Sequence, residues 1–175
     1  YFYNFYRDKM LALHAKPNAA HYKLAELESA GKLIAVVTQN IDGLHQAAGT
    51  HNVLELHGSV HRNYCTSCGK PYSAEFIKNS SGVPHCDCGG IIKPDVVLYG
   101  ESLDNKVIQK SLDLITSCDL LIVGGTSLNV YPAAGLITYT KAPIALINKS
   151  QTPYDENAEV VVNQPIGEVF SKIEL

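Results

Sequence analysis

A chain of 175 residues can hold one ordinary domain, or one domain carrying a small insert, and not two full domains. With 46% hydrophobic and 18% charged residues and a net charge of −3, it falls outside the disordered, collagen-like and membrane classes. Its only arginines are Arg7 and Arg62 and its lysines are scattered, so the basic stripe of a general nucleic-acid binder is missing.

The start, YFYNFYRDKM, has neither the apolar core nor the small-residue cleavage site of a secretory signal, so a cytoplasmic address is expected. Residue 1 is Tyr rather than Met, which leaves room for a preceding segment. Apolar positions recur at three and four over residues 2–13 and again over 19–30, predicting two amphipathic helices on either side of Lys16-Pro17-Asn18. LIAVVT (33–38) then reads as a buried parallel strand, ending in polar TQN before a short helical DGLHQAAG. Five more strands follow at VLEL (53–56), DVVLY (95–99), CDLLIVGG (118–125), PIALIN (143–148) and EVVV (159–162). Helical patterns cover 105–117, 132–139 and 165–173. This alternation predicts the α/β class, with a Rossmann-like parallel sheet between helices. No apolar run approaches the roughly 18 residues that cross a bilayer.

Residues 59–94 break that rhythm. They are rich in Cys, Ser, Gly and Pro, show little apolar periodicity, and are expected to form a small inserted module without a core of its own. Cys65 and Cys68 are spaced C-x2-C, and Cys86 and Cys88, after seventeen intervening residues, are spaced C-x-C. Four thiolates in two glycine-flanked knuckles suit one tetrahedral Zn2+ in a closed, structural site of zinc-ribbon type. A disulfide or redox pair is the alternative, and His85 is a possible substitute ligand. Cys118 opens an apolar strand and reads as a buried small hydrophobe.

In open α/β sheets ligands bind beyond the carboxyl ends of the strands. Three such ends are polar: Gln39-Asn40-Ile41-Asp42 after the first strand, His57-Gly58-Ser59 after the second, and Gly125-Thr126-Ser127 after the fourth. Taken singly, each has a plain structural reading. Asp42, in an Asx-type turn, would cap the helix that follows it, Thr126 or Ser127 would cap the next helix, and His57 would be a satisfied structural histidine.

Taken together, TQNIDGLH, ELHGS, the CxxC…CxC insert, KPDVVLYGE (93–101), GGTSLNVYPAA (124–134) and LIN (146–148) resemble the sirtuin family of NAD-dependent protein deacylases in order and spacing. The resemblance runs from residue 16 to the end of the chain. It implies a Rossmann-like NAD-binding domain over 1–58 and 95–175 with a zinc module over 59–94. It makes NAD a consumed co-substrate, zinc a structural ion, and acyl-lysine proteins or peptides the partners. In that family mechanism the acyl-lysine carbonyl oxygen attacks C1′ of the nicotinamide ribose, nicotinamide leaves, and an alkylimidate forms. His57 then acts as general base for the 2′-hydroxyl, and hydrolysis yields free lysine and O-acyl-ADP-ribose.

By the same resemblance Asn40, Ile41 and Asp42 line the nicotinamide pocket and Gln39 lies near the ribose. Gly125, Thr126 and Ser127 hold phosphate and ribose, and Asn148 contacts the adenosine ribose. Val97 and Tyr99 wall an acyl-lysine tunnel, Tyr99 standing where many members have phenylalanine. Gly100, Glu101, Leu128, Asn129 and Val130 flank the substrate peptide as an added strand. The family's GAG-type loop, its Pro-Asp-Phe-Arg segment and the first strand precede the position of Tyr1, so acyl preference is not legible. A polypeptide of residues 1–175 alone is expected to aggregate and to lack NAD-dependent deacylase activity.

Two other readings compete. One is a noncatalytic ADP-ribose or acyl-lysine binding module, against which the retained His57 and Asp42 argue, because a reader needs no base. The other is nucleic-acid binding through the insert, where Arg62, Lys70, Lys78 and Lys93 are balanced by Glu75, Asp87 and Asp95. The sequence carries no signal for oligomeric state or membrane attachment.

Overall fold

The computed structural model describes residues 1–175. Helix α1 (Phe2–Phe5) runs directly into a single π-helical turn over Tyr6–Met10. Asn18 then starts α2 (Ala19–Ser29): its side-chain oxygen accepts from the Ala20 and His21 N–H groups, while His21 Nδ1 accepts from the Asn18 N–H. This reciprocal cap satisfies donors that a helix start otherwise leaves open.

The parallel layer is in two hydrogen-bonded pieces. Strands β1 (Val36–Thr38) and β2 (Val53–Glu55) pair in parallel around the short α3 (Leu44–Ala47). Strands β6 (Leu121–Gly124), β7 (Ile144–Ile147) and β8 (Val160–Val162) form a second parallel sheet in that order. Adjacent residues of a strand point to opposite faces, and both Leu146 and Ile147 of β7 are buried. Leu146 packs on Leu128, Ala134 and Ile137, from the loop after β6 and a 3-10 helix over Ala133–Tyr139. Ile147 packs on Ala20 of α2 and Phe170 of α6 (Ile166–Phe170). Helices therefore cover both faces, as the alternating pattern predicted.

Helix α5 (Asn105–Ser117) begins at Asp104, whose carboxylate accepts from the Lys106 and Val107 N–H groups. Its Val107, Ile108, Leu112 and Ile115 lie on one helical face and close over Leu56 and Leu136. No helix is long and apolar enough to cross a membrane.

One strand differs from expectation. The segment read as a parallel strand at 95–99 is β5 (Ile92–Val96), and it pairs antiparallel with β3 (Gly58–Cys65), Gly58 opposite Val96 and Cys65 opposite Ile92. Asp95 and Val96 continue the sheet of the insert, so the chain leaves the insert along the strand by which it entered. Strand β4 (Pro71–Tyr72) and helix α4 (Ala74–Asn79) complete that layer.

Val60, Cys65, Ala74, Ile77, Cys86, Ile92 and Val96 of this layer form a nine-residue buried cluster with Tyr6 and Leu11. The expectation of an insert without a core is therefore corrected: residues 59–94 supply six of the nine buried residues, and the N-terminal segment completes the cluster with Tyr6 and Leu11. Arg7 ties the two together, donating to the carbonyls of Ile77 and Gly82 and to Ser80 Oγ. The cations of the insert are all engaged within the protein. Arg62 pairs with Glu55 and Asp95, Lys70 with Asp87 and Lys93 with Glu101, while Lys78 donates to the Arg7 carbonyl.

Candidate functional site

The polar ends of β1, β2 and β6 converge on Gln39. Its backbone carbonyl is 3.0 Å from His57 Nδ1, and its side-chain amide is 3.5 Å from Thr126 Oγ1. A carbonyl only accepts, so Nδ1 carries the hydrogen of a neutral His57 and Nε2 keeps a free lone pair. The His57 carbonyl in turn accepts from the Val97 N–H at 3.0 Å, which fixes the histidine from both sides of the sheet end. Gly58 makes that junction possible: its φ is +75°, and a Cβ there would sit 1.9 Å from the Asp95 carbonyl oxygen.

Asp42 is half-buried and one of its carboxylate oxygens accepts from the Leu44 N–H at 3.0 Å. The Asx turn read from the sequence is therefore present, although Gly43 rather than Asp42 is the N-cap of α3, and the second oxygen remains available to a ligand. Ile41 is half-buried against the cluster that contains Tyr6, and Asn40 is exposed, its N–H donating to Thr38 Oγ1. Beyond this loop His45 meets His21 of α2 with ring centroids 4.7 Å apart. Burial lowers the pKa of both imidazoles.

At the ends of β6 and β7 an open cleft of about 660 Å3 is lined by Gly125, Asn148, Asn18, Ala19, Ile166 and Gly167, among others. Gly125 and Asn148 were expected there. Ser127 is exposed beside it in sequence, and Thr126 Oγ1 accepts from the Leu128 N–H, capping a turn rather than a helix.

The expected peptide-flanking segments are less uniform. Val97 adjoins His57 through its backbone, but Tyr99 projects fully into solvent and does not wall a tunnel in this structure. Glu101 is spent internally, accepting from the Leu98 N–H and pairing with Lys93, so it closes the turn that carries Gly100. The Leu128 side chain is buried in the core at φ +54°, which leaves its backbone, with exposed Asn129 and Val130, as the accessible part.

The thiols of Cys65, Cys68, Cys86 and Cys88 all lie within 4.8 Å of one another, with Cys65–Cys88 at 3.5 Å and Cys68–Cys86 at 3.6 Å. Tetrahedral zinc at about 2.3 Å from each sulfur requires sulfur separations of about 3.8 Å, which these distances bracket. Backbone N–H groups of Cys68 and Cys88 stabilise the thiolates of Cys65 and Cys86, the latter pulled down to about 6. His85 is exposed and lies outside the cluster, and Cys118 is half-buried with its thiol on the Ile115 carbonyl. The residues fit zinc in a closed site whose contribution is structural.

Comparison with known proteins gives this geometry its lineage. The model of the Sir2 family matches residues 1–132. The chain belongs to the Sir2 family. An NAD-dependent protein deacetylase of Clostridium acetobutylicum is 59% identical over 175 residues, covering 98% of this chain and 71% of that protein. A solved Sir2 structure with p53 peptide and NAD+ is 42% identical with a TM-score of 0.92, covering 97% of this chain and 74% of the other. A Sir2 variant with deacetylated p53 peptide and 3′-O-acetyl-ADP-ribose is 41% identical with a TM-score of 0.91, covering 97% and 72%.

Within this sirtuin fold, the residues that sequence reasoning missed are those brought to the cleft from elsewhere: Asn18 and Ala19 at the start of α2, and Pro165, Ile166 and Gly167 before and within α6. The second group follows β8, so the rule that polar strand ends carry ligands applied to it as well. Asn18 was legible only as a helix cap.

Proposed function

We propose that this protein is an NAD-dependent protein-lysine deacetylase that transfers the acetyl group to ADP-ribose and releases nicotinamide. The observation that carries this reading is the contact of His57 Nδ1 with the Gln39 carbonyl: an acceptor there calls for Nδ1–H, which leaves Nε2 of the neutral imidazole to act as a base at the junction of the polar strand ends. The names of the relatives, and the NAD and acetyl-ADP-ribose in related structures, support the same chemistry.

In this reading the acetyl-lysine carbonyl oxygen forms a bond to C1′ of the nicotinamide ribose, and nicotinamide departs with the electrons of the glycosidic bond. His57 Nε2 then takes the 2′-hydroxyl proton, so that oxygen can attack the activated acetyl carbon. Addition of water completes release of lysine and O-acetyl-ADP-ribose. Asp42 accepts from the nicotinamide carboxamide with its uncommitted oxygen, and Ile41 and Asn40 line the same pocket. Gln39 lies by the ribose, Gly125, Thr126 and Ser127 hold phosphate and ribose, and Asn148 meets the adenosine ribose. The substrate backbone lies between 97–101 and 128–130, with Gly100 and Leu128 contributing backbone groups.

Residues 1–58 and 95–175 make the NAD-binding domain in this scheme, and residues 59–94 the zinc module. Five free cysteines, four gathered as one ligand set, favour a reducing cytoplasm.

The test is an assay with an acetyl-lysine peptide, using the protein as its gene encodes it. Nicotinamide and O-acetyl-ADP-ribose should appear in equal amounts and only with NAD; deacetylation without NAD would overturn the proposal. Asp42→Asn should weaken nicotinamide exchange into NAD by about tenfold, because an amide can present N–H where the carboxylate accepted. Isotope exchange measured beside deacetylation checks this.

A further inference from the structure

Strand β3 starts directly after His57, and two of its early residues reach back to the loop that carries Asp42. The Val60 N–H donates to the Ile41 carbonyl at 2.9 Å, and His61 Nε2 lies 3.0 Å from the Asp42 carbonyl. That carbonyl only accepts, so Nε2 carries the hydrogen, as it does in both the Nε2–H tautomer and the imidazolium. The next residue, Gly43, has φ +69°, and a Cβ there would lie 2.8 Å from His61 Cδ2, so the imidazole occupies the space a side chain would need.

Glycine makes the Asp42–Gly43 peptide easy to reorient, and a flip would turn the Asp42 carbonyl away and release the turn that carries the Asp42 carboxylate from strand β3. The Val60 bond does not oppose that flip, because it holds the preceding peptide. The His61 N–H does. Its partner atom belongs to Asp42, whose second carboxylate oxygen is uncommitted, whereas its own side chain is anchored on the strand of the zinc module.

We propose that His61 is a positioning residue that holds the nicotinamide pocket in its binding-competent form, and so sets how well departing nicotinamide rebinds. The proposal rests on the assignment of Asp42 to nicotinamide under Proposed function. Rebinding nicotinamide re-forms the glycosidic bond at C1′ and expels the acyl-lysine, so the effect of His61 falls on exchange and product inhibition more than on peptide affinity.

The experiment compares wild type, His61→Phe and His61→Gln in the protein as its gene encodes it. It measures the nicotinamide inhibition constant, exchange of labelled nicotinamide into NAD, peptide KM and zinc content. Phenylalanine keeps a ring beside Gly43 without a donor. It should raise the inhibition constant and slow exchange by about five- to tenfold, the scale of one lost hydrogen bond, with zinc retained and peptide KM moved less than twofold. Glutamine, whose amide N–H reaches as far beyond Cβ as Nε2, should restore both nicotinamide readouts. If His61→Phe does not fold, His61→Ala serves the same comparison. Wild-type turnover with variant nicotinamide readouts within twofold would overturn this proposal alone, as would a loss spread equally over peptide KM and zinc. Absence of NAD-dependent turnover in wild type would overturn the function reading, and this one with it.

Discussion

Replacing His57 by alanine is expected to slow NAD-dependent deacetylation by about 10²–10⁴, while NAD affinity stays within roughly tenfold. The range is what a positioned general base contributes to a rate, and at ambient temperature it corresponds to about 2.7–5.4 kcal/mol of barrier. Ground-state affinity moves little because the base acts on a proton that shifts only as the 2′-hydroxyl attacks. The fold should survive, since His57 is only half-buried and water can replace Nδ1–H at the Gln39 carbonyl. Single-turnover kinetics with an acetyl-lysine peptide, beside calorimetric NAD titration, read the two quantities separately. Turnover by His57→Ala within a few-fold of wild type would move the base elsewhere. A loss of NAD affinity matching the loss of rate would recast His57 as a binding residue.

The contrast between His57 and the peptide-flanking segments shows which parts of the site were legible in the sequence. His57, Gln39 and Thr126 meet because they follow strands of the two parallel sheets, and strand ends follow from apolar runs that stop at polar residues. The cysteines were legible for a similar reason, since short spacing fixes which sulfurs can share an ion. Tyr99 and Leu128 were not. Their segments lie in loops, where the side-chain direction depends on local turns: Glu101 closes one by taking the Leu98 N–H, and Leu128 adopts φ +54° and turns its side chain into the core. The orientation of β5 was hidden too, because the apolar run at 95–99 reads the same in a parallel or an antiparallel sheet. Its partner is decided by pairing with β3, thirty-odd residues away. The His61 contact depends on that same pairing, which brings a residue of the insert beside a loop nineteen positions earlier.

Zinc removal should reach well beyond the four cysteines. The double substitution Cys65→Ser, Cys68→Ser is expected to abolish binding of about one zinc per chain, whereas Cys118→Ser should keep it. Cys65 and Cys86, two of the four ligands, are members of the nine-residue buried cluster, so the metal site and the core of this layer share residues. Structural zinc contributes about 10–16 kcal/mol of apparent binding energy, comparable with the whole stability of a typical domain, so without it the layer should open. Opening removes the partners of the N-terminal segment: Tyr6 and Leu11 lose their packing, Tyr3 loses the Ile92 carbonyl, and Arg7, only 8% exposed, loses Ile77, Ser80 and Gly82. It also removes the Val60 and His61 bonds to the Ile41 and Asp42 carbonyls, so deacetylation should be lost although no cysteine lies among the residues around His57. Hydrogen exchange with and without a chelator tests this directly. Residues 58–96 and the segment 2–11 should lose protection together, while β6, β7 and α5 keep theirs. Loss confined to the cysteine knuckles, with 2–11 still protected and turnover intact, would show that the apolar cluster holds this layer without its metal.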